Sequence, residues 1–289
     1  MIRDGAALFA YCLDILLYGI LTVQTYIYYL AFPKDRWQVK LIVYFVYIVG
    51  IMQTAFALRD FYTLFCTSSG DLLWNINPRI FGFMWFTIPV SDALVAVIAQ
   101  LFYAYRIWTI SRKKVITVVV SASATTQFVC GIITAATDYK RIRVVSATNF
   151  VTYVVDILVW GSVGGLCDIL IAIYMFYFLS KQLSRVPRRT QVPLTRIKRL
   201  LLETGILTAA MATSYTILSA SVSTNFGIWF MIPGLSLSKL YSNSMLVLMN
   251  NRATITGGRN APQSDLDVVS FHCSERPDAT RENEGLVMS

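Results

Sequence analysis

Seven long apolar stretches punctuate this 289-residue chain, at about 6–32, 39–58, 80–108, 115–137, 153–179, 198–220 and 228–249. Each has about 20 residues or more, enough for a helix rising ~1.5 Å per residue to cross a ~30 Å hydrocarbon core. Inside lipid a lone segment satisfies its backbone polar groups only as a helix. The pattern therefore predicts an all-α integral membrane fold, a bundle of seven transmembrane helices over residues 1–252. Composition agrees: 56% of residues are hydrophobic and 14% charged, against about 25% charged in soluble domains. The first stretch is too long for the apolar region of a cleaved signal peptide and reads as a span that directs its own insertion.

The basic residues set an expected orientation. With the N-terminus outside, the inner side carries three Lys or Arg in 34–40, four in 106–114, seven in 181–199 and four in the tail. That is 18 inside against 6 outside (Arg3, Arg59, Arg79, Lys140, Arg141 and Arg143). The excess of inner Lys and Arg predicts an outer N-terminus and a cytoplasmic C-terminus. The cluster from Lys140 to Arg143 dissents locally. The net charge of +9 is then read as cytoplasmic loops facing anionic lipid, not as a nucleic-acid surface. The loop from Leu183 to Lys198 is the expected contact with anionic headgroups. Residues 253–289 lose the apolar signal and read as a disordered cytoplasmic tail.

The five cysteines include no CxxC pair, and their odd number argues against a disulfide framework or a zinc site. The only histidine is His272, in the tail. Histidine-rich membrane metal chemistry is therefore not expected. Nor are P-loop or dinucleotide-binding glycine patterns present. The expectation is a non-enzymatic protein without cofactor or metal.

Five charged residues fall well inside the spans: Asp14, Asp92, Asp168, Glu203 and Lys239. At ~1.5 Å per residue, Asp92, Asp168 and Lys239 each lie roughly 16–18 Å from a span end, near the midplane. An ammonium at that depth costs roughly 2.5–3.5 kcal/mol on insertion scales, so it needs a partner or a purpose. Asp92, Asp168, Glu203 and Lys239 form the candidate intramembrane polar site, with Asp14, Gln100 and Asn243 as secondary members. Two readings stay open. The group is a site for a cation, proton or polar ligand, or Lys239 pairs with Asp92 or Asp168 and holds helices together.

Other residues read as packing. Gly161 and Gly165, Gly205 and Ala209, and the run Ser121 to Ala124 offer small faces for close helix approach. Pro89 and Pro233 are expected to kink spans three and seven. Tyr and Trp near span ends, such as Tyr26, Tyr29 and Trp108, fit an interfacial belt.

Several blocks carry a resemblance. They include Gly164-Gly165-Leu166-Cys167-Asp168, the run Leu194 to Ala209, and Leu237-Ser238-Lys239-Leu240-Tyr241-Ser242-Asn243-Ser244 followed by Asn250-Asn251-Arg252. Upstream lie Phe32-Pro33-Lys34-Asp35-Arg36-Trp37 and Gln100 to Ile107. Over roughly residues 10–252 the chain resembles a family of fungal, chiefly basidiomycete, seven-span membrane proteins, whose C-terminal half is domain of unknown function 6534. The resemblance implies the fold and a fungal source, and no activity. The leading functional expectation is a receptor-like membrane sensor. Alternatives are a small-solute or ion transporter that uses buried carboxylates, and a structural membrane scaffold.

Overall fold

The computed structural model describes residues 2–67, 82–111, 114–144, 150–183, 188–220 and 228–255. These residues are helical throughout apart from short turns. Seven α-helices follow one another: α1 (Ile2–Ala31), α2 (Trp37–Tyr62), α3 (Ser91–Ser111), α4 (Lys114–Val144), α5 (Phe150–Leu183), α6 (Arg188–Ala220) and α7 (Met231–Ile255). A π turn at Thr63–Thr67 extends α2, and another at Phe86–Val90 leads into α3.

Among the described residues, six helical stretches are long and apolar enough to cross a membrane: Gly5–Ala31, Trp37–Cys66, Phe86–Thr109, Lys114–Lys140, Val155–Lys181 and Lys198–Ala220. Their faces are arranged as lipid requires. On α1, Leu8, Phe9, Ile15, Leu16, Ile20, Val23 and Ile27 point outward and are exposed. Ala7, Ala10, Asp14, Leu21, Thr25 and Tyr28 point inward and are buried. The inward set recurs every three or four residues, the period of one helix face. The outward face is apolar while the inward face holds small and polar residues, which is the arrangement of a membrane-embedded protein.

The seventh helix is different. It carries Ser236, Ser238, Lys239, Ser242, Asn243 and Ser244, all buried, and it is not among the six stretches long and apolar enough to cross a membrane. It packs most extensively against α1 and α6, and also against α3 and α2. Wrapped by neighbours, α7 needs no apolar face for lipid. Residues Asn243 and Asn250 bond the carbonyls of Leu17 and Gln24 at 3.1 and 2.9 Å. Positions advance together along α1 and α7, so the two helices run parallel. Contacts of Thr54 with Asp14 and of Tyr47 with Tyr18 advance in opposite senses, so α1 and α2 are antiparallel.

Glycines set the closest seams. A methyl group added at Gly161 would overlap the Thr216 hydroxyl, and one at Gly205 would lie 2.9 Å from the Ala172 Cβ. These positions bring α5 and α6 together, as small faces do in lipid. Nearly one turn along α5 from Gly161, a methyl group added at Gly164 would lie 2.5 Å from Gln127 Nε2 of α4.

Three expectations change. Pro233 is the third residue of α7, in the first turn, where a missing N–H breaks no ladder bond, so it does not kink the helix interior. The irregularity expected at Pro89 takes the form of the π turn before α3. Much of the Leu183 to Lys198 loop is helix, because α6 begins at Arg188. The tail from 256, including His272 and Cys273, lies outside the described residues, as does most of the Arg59 to Arg79 segment.

Candidate functional site

Lys239 lies about two turns into α7, fully buried by its neighbours. Its side chain is 0% exposed, and its ammonium donates to Asp14 Oδ1 at 2.9 Å, itself 1% exposed. It also donates to Gln53 Oε1 at 2.7 Å. The Tyr18 ring lies 5.9 Å away, within the range of a cation–π contact. Asp14 accepts a second hydrogen bond from Thr54 Oγ1 at 3.0 Å. The charge pair therefore carries the additional hydrogen bonds that a buried ion pair requires.

Gln53 is the hub. Its Nε2 donates to the Thr87 carbonyl at 2.8 Å and to the Leu235 carbonyl at 3.2 Å. Its Oε1 accepts from Lys239 and from the Ser238 hydroxyl. One amide thus joins α2, the π turn before α3, and α7. Ser238 connects onward, since its backbone N–H donates to Asp92 Oδ1 at 2.9 Å. Among the described residues, Asp92 Oδ2 is buried without a hydrogen-bond partner.

A second cluster lies further along α7. The Tyr241 hydroxyl donates to Asp168 Oδ2 at 2.5 Å, and Gln100 Nε2 donates to Asp168 Oδ1 at 3.0 Å. These bonds join α7, α5 and α3. Beside Asp168 is a cavity of about 20 Å³, edged by Tyr103, Thr204, Thr208, Tyr241 and Ser244 among others. That is room for about one water molecule. Tyr103 and Ser244 hydroxyls lie 3.2 Å apart on its rim.

The sequence candidates therefore divide. Lys239 pairs with Asp14, not with Asp92 or Asp168, because Asp14 lies on the helix that packs along α7. Asp92 reaches the same network through the Ser238 backbone. Asp168 and Gln100 form the second cluster. Asn243 ties α7 to α1 through the Leu17 carbonyl. Glu203 joins neither cluster. It sits on an exposed face and pairs with Arg199 at 2.7 Å, one helical turn away.

Sequence reasoning missed Gln53, Thr54, Ser238 and Tyr241 as members. A glutamine amide inside the second apolar stretch was the available signal for Gln53. Ser238 and Tyr241 gave none beyond their place beside Lys239. Among the described residues, no group of three or more His, Cys, Asp or Glu is placed to hold a metal ion.

Residues 164–254 match the model of a family of unknown function, DUF6534. The matched part holds Asp168, Ser238, Lys239 and Tyr241, while their partners Asp14, Gln53, Asp92 and Gln100 lie before it. No curated protein and no solved structure matches the chain.

Proposed function

We propose that this chain is a non-enzymatic fungal membrane sensor of receptor-like architecture, crossing the bilayer seven times with its N-terminus outside and its C-terminus in the cytoplasm. The closed Lys239–Asp14–Gln53 network supports the reading. It joins α7 to α1, α2 and the entry to α3. Polar junctions of this kind have discrete arrangements, and a signal acting at one helix end can bias them only by binding one arrangement better. The parallel course of α1 and α7 favours an odd number of crossings, and the basic excess favours the orientation.

A transporter is the second reading. It is favoured by the bare Asp92 Oδ2 and by the one-water cavity beside Asp168. Purified protein in liposomes separates the two. The sensor predicts no protein-dependent proton or alkali-cation flux down an imposed gradient. A flux abolished by Asp168→Asn or Asp92→Asn would replace the sensor with the transporter. Orientation is checked by single cysteines at Tyr62 and Lys181 in sealed cells. An impermeant reagent should label the first and spare the second.

A further inference from the structure

The turn between α1 and α2 encloses a cleft of about 350 Å³, lined by Tyr28, Tyr29, Leu30, Phe32, Pro33, Lys40 and Tyr44. Its size falls within the range of small-ligand pockets, about 300–1,000 Å³. Neither polar network reaches it. Its height in the molecule is informative. It straddles the end of one apolar helix stretch at Ala31 and the start of the next at Trp37; with both stretches crossing the bilayer, that is the level where headgroups meet hydrocarbon.

The lining has two characters. Lys40 is half-buried and donates to the Pro33 carbonyl at 2.6 Å. That bond uses one of three ammonium N–H groups and fixes the head over the turn. Tyr28 is buried, and its hydroxyl donates to Asp35 Oδ2 at 2.8 Å. Tyr29, Leu30 and Tyr44 are 62%, 36% and 38% exposed on the lipid-facing side. A fixed cation therefore sits above apolar and aromatic surface that is open towards the acyl region. Free anions would gain the cation and leave that surface unused. A phospholipid uses both.

We propose that this cleft binds an anionic phospholipid, with its phosphate and headgroup at Lys40 and its upper acyl chain along Tyr29, Leu30 and Tyr44. Attraction of anionic headgroups to a basic residue at the membrane surface is worth about fivefold in affinity per Lys. The site rests on the reading that α1 and α2 both cross the bilayer, and not on the sensor role.

The test uses the full chain purified in a neutral detergent. Bound phosphatidylserine and phosphatidylcholine of equal chain length are compared by native mass spectrometry. Wild-type protein should retain phosphatidylserine preferentially. Lys40→Gln keeps a donor for the Pro33 carbonyl and should lose about fivefold of that preference, whereas Lys40→Arg should retain it. Unchanged melting temperatures show that both variants fold. A variant that melts early is replaced by Tyr44→Ala, which should weaken retention of the same lipid. Equal retention of both lipids by wild type would overturn the proposal, as would an unchanged preference in Lys40→Gln. Displacement of the lipid by millimolar inorganic phosphate would also overturn it, because the site would then belong to a soluble anion.

Discussion

The Lys239 ammonium and the Asp14 carboxylate meet at 2.9 Å across 225 positions of sequence, and both are sealed from solvent. The last helix is thereby charge-paired to the first. Removing one partner leaves the other as an uncompensated buried charge, which typically costs about 3–5 kcal/mol.

Lys239→Met should therefore destabilise the protein by about 3–5 kcal/mol, and adding Asp14→Asn should restore most of the loss. The same cycle with Asp168→Asn should be close to additive, because Asp168 bonds Tyr241 and Gln100 instead. Unfolding titrations in mixed micelles give the coupling energies. Additivity between Lys239 and Asp14 would remove the pair from the stability of the bundle.

Gln53→Leu should cost about 1–3 kcal/mol, since it strips donors from two carbonyls and an acceptor from Lys239. The apolar side chain is no worse for lipid insertion, so the loss must appear in the folded state. Thermal melts in detergent measure it. A melt equal to wild type would mean that the hub is replaceable by packing.

Gly161 and Gly19 form a matched comparison. Gly161→Ala places a methyl group into the Thr216 hydroxyl and should destabilise by about 1–3 kcal/mol. Gly19 has nothing within 4 Å of an added Cβ, so Gly19→Ala should stabilise by about 0.5–1 kcal/mol through helix propensity. Opposite signs in the two melting shifts are the expected result. A neutral Gly161→Ala would show that the α5–α6 seam yields easily.

Tyr241→Phe removes the 2.5 Å bond to Asp168. With the carboxylate ionised, that loss is about 1.5–3 kcal/mol. In an Asp168→Asn background the cost of Tyr241→Phe should shrink. Equal costs in both backgrounds would show that the two side chains are uncoupled.

Much of the architecture was legible because lipid imposes a simple rule on sequence. A helix facing hydrocarbon must be long and apolar, and α1 to α6 announce themselves by that rule. The glycine and alanine seams were legible for a similar reason, since small side chains are what allow backbones to approach. Asp14, Asp92, Asp168 and Lys239, all buried, could also be picked out one at a time, because an ionisable group deep inside an apolar stretch is costly.

Tertiary structure alone decided their partners. Depth along a helix is a one-dimensional quantity, and it ranked Asp92 and Asp168 as companions for Lys239. Pairing also depends on which helices adjoin and which way each side chain faces. Packing of α1 along α7 turned Asp14 towards Lys239, and the rotation of α6 left Glu203 outside with Arg199. The same geometry let α7 stay polar, because surrounding helices shield it from lipid. Sequence determined which segments had to be helices and which residues were expensive. The three-dimensional packing determined which charges meet, because azimuth and neighbour identity arise only when the helices assemble.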